Sequence, residues 1–128
     1  MLPLFDVSDL SLVSLNWSKH RLSSKISARG WLSAVTVQSD QDDKIVIFGG
    51  AAERLWHNDA YVLIPSPGAT DTWKCAVADI SGETPEPRES FACVVAGRDM
   101  WIFGGHSGTA RYDTTICVKD VYHLQGLR

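Results

Sequence analysis

The chain has 128 residues, of which 45% are hydrophobic and 21% are charged, and this composition is typical of one globular domain. It excludes a disordered tail and a fibrous or low-complexity chain. No apolar run reaches the ~18 residues of a membrane-spanning helix, and a net charge of −3 without a block of Lys or Arg disfavours binding to nucleic acid or anionic membranes.

Short apolar runs, rich in branched and aromatic side chains, predict strands along the whole chain. In chain order they cover residues 32–37, 45–48, 61–64, 91–96, 100–103 and 121–124. The runs are apolar at consecutive positions, which predicts strands that are buried on both faces. The connectors between them contain the Gly, Pro, Asp and Ser residues that form turns. No run of about ten residues has the period of an amphipathic helix, so the chain is predicted to be all-β.

Several features recur along the chain in the same order. Gly49-Gly50 and Gly104-Gly105 each follow an Ile-Phe pair, and the two glycine pairs lie 55 residues apart. Residues 29–37 resemble residues 88–96, and residues 58–63 resemble residues 119–124. A repeat of this length predicts stacked four-stranded units, and its glycines indicate positive φ angles and close backbone approach.

Aromatic residues also recur with the repeat. Trp17 follows Phe5 by twelve residues, and Trp73 follows Tyr61 by the same twelve. Tyr122 occupies the place of Tyr61 in the later repeat. Because these side chains follow the repeat, Tyr61, Tyr122, Trp17 and Trp73 are predicted to be core residues or to pack between units.

This order of features resembles the kelch repeat: an apolar run into Gly-Gly, then Asp-x-Tyr-x-Leu, then Trp, then Pro-x-Pro-Arg. Here the elements are residues 47–50, 59–63, Trp73 and 85–88, with a further copy at residues 102–105 and 120–124. The resemblance implies the four-stranded antiparallel blades of a β-propeller.

The resemblance also implies a domain organisation. Residues 1–20 are expected to be the C-terminal strands of a preceding blade, residues 31–77 a complete blade, and residues 88–128 a following blade that lacks its last strand. About two blades do not close a ring, which takes roughly four to eight. We therefore expect the remaining blades to be supplied in cis, with self-association or an open stack as the alternatives.

Long predicted connections gather at one end of the blades, at residues 20–30, 50–59, 78–90 and 105–119. Long loops on a rigid scaffold are often functional, and Arg, Trp and Tyr anchor many interfaces. The candidate partner-binding residues are Arg54, Trp56, His57, His106, Arg111 and Tyr112. Trp56 is equally well interpreted as a residue packed against the blade edge.

Two arginines and two aspartates in these connections are expected to be structural. Arg29 and Arg88, at the starts of the inner strands, are predicted to bond to neighbouring carbonyl groups. Asp59 and Asp120 are expected to fix the backbone at a strand entrance rather than to perform acid chemistry.

No catalytic residue, metal site or cofactor is predicted. The Gly-x-Ser-x-Gly spacing of a nucleophile elbow fails by one residue at 104–108. His20, His57, His106 and His123 are scattered without metal-ligand spacing. Cys93 is predicted to be an inert buried thiol. The odd number of cysteines, 3 in all, argues against a disulfide framework and predicts a cytoplasmic location.

The predicted function is a protein–protein interaction module, which the resemblance to the kelch repeat makes a scaffold or substrate-recognition domain. Five arginines in and beside the long loops would suit an acidic partner segment: Arg21, Arg29, Arg54, Arg88 and Arg111. The alternative is a fragment of a kelch-type enzyme, with metal or acid–base chemistry at the propeller channel.

Overall fold

Every regular element in the described chain is a β-strand, which confirms the predicted all-β fold class. The computed structural model describes residues 4–38, 40–66, 68, 71–107, 110–111 and 115–119. The strands are β1 (Leu4–Leu10), β2 (Trp17–Ile26), β3 (Ser33–Val37), β4 (Lys44–Phe48), β5 (Ala51–Ala52), β6 (Leu55–Trp56), β7 (Ala60–Ile64), β8 (Lys74–Val77), β9 (Ala92–Ala96), β10 (Asp99–Phe103), β11 (His106–Ser107), β12 (Ala110–Arg111) and β13 (Thr115–Lys119). In this part of the chain, no helix is long and apolar enough to cross a bilayer.

Three antiparallel sheets follow one another along the chain. The first is the hairpin β1–β2, the second has the strand order β3-β4-β7-β8, and the third has the order β13-β10-β9. Two small hairpins, β5–β6 and β11–β12, interrupt the second and third sheets after β4 and β10. The second sheet is therefore a simple up-and-down meander, which places its connections alternately at its two ends.

The second sheet is apolar on both faces. Its register aligns Val46 with Val62 on one face and Ile47 with Tyr61 on the other. The first of these faces packs against β10 and contributes to one core cluster, while the opposite face packs against β2 and contributes to a second. Because each face is covered, all five positions of β7 are buried, as predicted for strands buried on both faces.

The first hairpin also bonds to the outer edge of the second sheet. The Ser23 amide donates to the Trp73 carbonyl at 2.9 Å, and the Trp73 amide donates to the Arg21 carbonyl at 2.8 Å. Trp73 and Tyr61 are buried, which confirms their predicted core role. The same prediction for Trp17 is wrong, because it lies opposite Leu10 at the turn end of the hairpin and is 70% exposed.

The third sheet is covered on one face only. Met100 and Ile102 are buried against the second sheet, whereas Val94, Trp101 and Phe103 on the other face are 59%, 37% and 51% exposed. Burial on both faces, which the apolar runs predicted, is therefore wrong for β9 and β10 in the described chain. The physical reason is that no further sheet packs there among the described residues.

Two predicted elements differ from the structure. Residues 20–30 were predicted to be a connection, but β2 continues to Ile26, so only residues 27–32 connect it to β3. The predicted strand at residues 121–124 lies outside the described residues, and the strand that pairs with β10 is β13.

The repeat supplies a matched test of this packing, because Phe48 and Phe103 end equivalent strands. Phe48 is fully buried between two sheets and Phe103 is half exposed. We expect Phe48→Ala to lower the free energy of unfolding by about 3–5 kcal/mol through loss of buried area and a residual cavity. Phe103→Ala should cost roughly 1 kcal/mol or less. Urea denaturation measures both, and equal costs would contradict the assignment of covered and open faces.

Candidate functional site

The small hairpins stand at one end of the second and third sheets, and each is fixed by the segment that enters its own sheet. Gly30 and Ala51 exchange two backbone hydrogen bonds of 2.8 and 2.9 Å. Glu89 and His106 exchange two of 3.0 and 3.1 Å. We call this end the loop face and define it as residues 27–32, 50–59, 78–91 and 104–107. Its backbone is held by hydrogen bonds rather than left as open loops.

Glycine pairs form the base of this face. Gly49 and Gly50 have φ angles of 67° and 93°, and Gly104 and Gly105 have φ angles of 75° and 89°. A Cβ atom on Gly50 would stand 2.7 Å from the Gly30 carbonyl oxygen, and one on Gly105 the same distance from that of Glu89. Both expectations for the glycines, positive φ and close backbone approach, are confirmed.

Buried arginines bind the same glycine pairs. Arg29 Nη1 donates to the Gly49 carbonyl at 3.2 Å, and Arg88 Nη1 donates to the Gly104 carbonyl at 3.0 Å. Arg29 and Arg88 are only 7% and 2% exposed. The prediction that these two arginines bond to neighbouring carbonyl groups is confirmed, and neither presents its guanidinium to a partner.

Asp59 completes the arrangement around Arg29. Its carboxylate forms an ion pair with Arg29, and its carbonyl accepts a hydrogen bond from the Gly49 amide at 3.2 Å. The Arg29 guanidinium also lies 5.2 Å from the centre of the Tyr61 ring. Asp59 therefore fixes the backbone, as expected from the sequence. Asp120 lies outside the described residues.

Three of the predicted partner-binding residues lie on the β5–β6 hairpin. Arg54 is exposed at its turn, whereas Trp56 and His57 are half-buried. The indole N–H of Trp56 is buried and has no hydrogen-bond partner among the described residues. Trp56 is therefore partly enclosed by the protein, and its two interpretations, a contact residue or a residue packed against the blade edge, both stay predictions.

Two of the other three predicted residues, His106 and Arg111, lie on the β11–β12 hairpin. His106 Nδ1 lies 3.6 Å from Glu89 Oε1, and the backbone of His106 pairs with that of Arg111. Tyr112 lies outside the described residues. Whether any of the six predicted residues contacts a partner stays a prediction.

His57 is chemically distinct from an ordinary surface histidine. Burial lowers the pKa of His57, and the neighbouring positive charge of Arg29 lowers it further, while Asp59 opposes the shift. The His57 backbone is fixed on both sides, because its amide donates to the Gly50 carbonyl at 2.9 Å and its carbonyl accepts from the Arg88 amide at 3.1 Å. The ring is therefore neutral at neutral pH and cannot serve there as a cation for an acidic partner.

Two exposed apolar residues of the loop face escaped the sequence prediction. Trp31 is 69% exposed and Leu55 is 62% exposed. The same preference of interfaces for Trp that selected Trp56 would have found Trp31. Trp31 directly precedes the strand predicted at residues 32–37.

The loop face shows no arrangement for metal or thiolate chemistry. Within the described residues, no group of three or more His, Cys, Asp or Glu side chains could hold a metal ion. Burial raises the pKa of the Cys93 and Cys75 thiols, with hydrogen bonds from serines opposing the shift in each case. Cys93 is thus a protonated, half-buried thiol.

The second and third sheets have equivalent registers, and in each an arginine binds the glycine pair that follows the second strand, β4 or β10. Stacked antiparallel sheets of this kind define a β-propeller type of repeat protein. The chain matches the family model of the KLHDC2/KLHL20/DRC7 Kelch-repeats domain over residues 4–125, and it belongs to this family. Over 70 residues it is 30% identical to the dynein alpha chain of the flagellar outer arm of Chlamydomonas reinhardtii. That match covers 55% of this chain and 1% of the relative, so the chain spans a very small part of that protein's length.

Arg29 and Arg54 allow the structural and exposed arginines to be compared directly. We expect Arg29→Ala to lower the free energy of unfolding by about 2–3 kcal/mol, because it leaves the Asp59 carboxylate and the Gly49 carbonyl without their donor. Arg54→Ala, at an exposed turn, should change it by about 0.5 kcal/mol or less. Chemical denaturation tests both variants, and an equal loss for Arg54→Ala would contradict the assigned roles.

The lowered pKa of His57 predicts acid sensitivity. In the unfolded chain a histidine titrates near pH 6.5, and the folded pKa lies below that value, so the unfolded state takes up the proton first. The contribution of neutral His57 to stability is therefore complete above about pH 6.5 and is lost as the pH falls through the folded pKa. His57→Gln should lose less stability than the natural chain between about pH 7.5 and pH 5. Identical losses in urea titrations of both proteins would contradict this prediction.

Proposed function

We propose that the chain is a protein–protein interaction module that binds a protein or peptide through the loop face. Kelch-repeat domains are generally modules of this kind. The observation that carries the proposal is the β5–β6 hairpin, which exposes Arg54 and Leu55 to solvent. Two backbone hydrogen bonds between Gly30 and Ala51 fix this hairpin to the segment before β3. A surface that is ordered before binding loses little conformational freedom on association, which favours affinity. A scaffold or substrate-recognition role in the cytoplasm is the form of this function that we propose.

The acidic partner predicted from five arginines has weaker support. Arg29 and Arg88 are buried in carbonyl contacts, and Arg21 lies in β2 outside the loop face. The side chain of Arg111 lies outside the described residues. Arg54 alone remains as an exposed guanidinium on the loop face as the structure describes it.

We also propose that further blades cover the outer face of the third sheet. Three exposed residues of the third sheet are equivalent in register to three residues of the second sheet that the third sheet covers. The exposed residues are Val94, Trp101 and Phe103, and their equivalents are Val35, Val46 and Phe48. The first hairpin, at the other end of the array, carries an exposed ion pair between Asp6 and Lys19 at 3.1 Å beside the exposed Trp17. Stacking one copy on the next would place this ion pair against an apolar face, so blades supplied in cis are favoured over self-association.

The enzyme alternative requires side chains that converge on a propeller channel. In the described chain the histidines are engaged singly, His20 with Asp9 at 2.7 Å and His106 with Glu89 at 3.6 Å. No observation on these residues favours catalysis over binding, so the interaction module is the function that we propose.

Position-specific photo-crosslinking tests which end of the sheets meets a partner. A photoreactive amino acid replaces Arg54 on the hairpin or, as the matched control, Gln41 in the exposed connection at the opposite end of the second sheet. We expect discrete crosslinked products in extracts of the source cells for position 54 and none for position 41. Products at position 41 alone, or none at either position, would contradict binding through the loop face.

A further inference from the structure

Trp31 has a backbone conformation that a tryptophan adopts only at a cost. Its φ angle is 50°, in the left-handed region that favours glycine, and its side chain is 69% exposed. Burial does not compensate this strain, because most of the indole lies in solvent. A strained residue that contributes little to folding points to a role outside folding.

The repeat shows that the conformation, but not the indole, belongs to the fold. Ser90 follows Arg88 as Trp31 follows Arg29, and its φ angle is 54°. The Ser90 amide donates to the Trp31 carbonyl at 3.1 Å, so the two equivalent turns are joined. At the entrance to the third sheet, the small polar side chain of Ser90 is therefore sufficient at this position. The indole at the equivalent position in the second sheet is therefore an addition to the surface.

A second exposed apolar residue lies on the neighbouring hairpin. The Gly30 amide donates to the Ala51 carbonyl at 2.8 Å, which fixes the turn containing Trp31 beside β5. Leu55, on the paired strand β6, is 62% exposed. Trp31 and Leu55 thus belong to one hydrogen-bonded unit of the loop face and form its exposed apolar part.

The loop face also carries exposed carboxylates. They belong to Glu53, Asp79, Glu83 and Glu86, whereas Arg54 is the one exposed guanidinium on the loop face as described. The segment with Glu83 and Glu86 is bonded to the residues between β6 and β7, because Asn58 Nδ2 donates to the Pro85 carbonyl at 3.1 Å. The described loop face therefore combines two exposed apolar side chains with four exposed carboxylates, which we call the acidic rim.

We infer that the loop face binds a cationic protein segment in which Lys or Arg stands next to an apolar residue. Trp31 offers an aromatic face to the cation and Leu55 an apolar contact, while the carboxylates form charge-assisted hydrogen bonds. This inference rests on the proposed interaction function and specifies its partner. It replaces the acidic partner that the arginine count suggested.

Two pools of fluorescein-labelled peptides test the chemistry of the partner. One pool randomises Arg, Lys, Leu, Ser and Gly, and the other has Asp and Glu in place of Arg and Lys. Fluorescence anisotropy with the full chain should show salt-sensitive binding of the cationic pool and little of the acidic pool. Tighter binding of the acidic pool, or of neither pool, overturns the inference.

Trp31→Gly tests the anchor, and Ser90→Gly is its matched control at the equivalent left-handed position. Trp31→Gly should weaken binding of the cationic pool roughly tenfold, while its midpoint of urea unfolding stays equal or rises because the backbone strain is relieved. Ser90→Gly should leave binding unchanged. Unchanged binding by Trp31→Gly would overturn the role of Trp31.

Neutralising the rim tests the electrostatic part separately. The double variant Glu83→Gln with Glu86→Gln should weaken binding and reduce its salt dependence, whereas Asp40→Asn, at the opposite end of the second sheet, should do neither. Equal effects of the rim and control variants would overturn the inference. If the chain binds the acidic pool and Arg54→Ala abolishes that binding, the cationic partner is refuted but the proposed interaction function is kept. If no crosslinked product forms at position 54, both are refuted.

Discussion

The four-stranded second sheet is apolar on both of its faces, and the rest of the structure follows from the need to cover them. Val46 and Val62 on one side, and Tyr61 on the other, are each less than 10% exposed. The hairpin β1–β2 covers one side and the third sheet covers the other. A sheet of this kind is stable only between two other layers. The same requirement applies to the third sheet, but among the described residues only its inner face is covered.

The arginine–glycine contacts convert this stacked core into a rigid surface at one end. Arg29 and Arg88 extend from the entrances of the second and third sheets to the glycine pairs that end β4 and β10. The contacts hold each small hairpin against the segment before its own sheet, and the Gly50 amide links to the Arg88 carbonyl at 2.9 Å. The presentation of side chains on the hairpins therefore depends on the buried guanidinium groups of Arg29 and Arg88.

Much of the fold could be predicted because the repeat fixes it at several positions at once. The Gly-Gly pairs located the ends of β4 and β10, and consecutive apolar residues located β7. The extension of β2 could not be predicted, because Lys19, Arg21 and Lys25 point to a solvent-exposed strand face rather than to a doubly buried strand.

The candidate site was predicted less well than the fold. Residue type alone does not separate a buried arginine such as Arg88 from an exposed one such as Arg54. Trp31 is exposed and has a φ angle of 50°, and a single sequence reveals neither property. Arg54 and Trp56 were selected because they fall in the long connection that follows a glycine pair, whereas the hairpin within that connection was not predicted.

Residue-resolved amide hydrogen exchange of the chain in solution tests the layered arrangement most directly. The account predicts that the slowest amides lie in β4 and β7, the strands covered on both faces, and that those of β9 and β10 exchange faster under the same conditions. Equal protection of the second and third sheets, or greater protection of the third, would contradict a core centred on the second sheet.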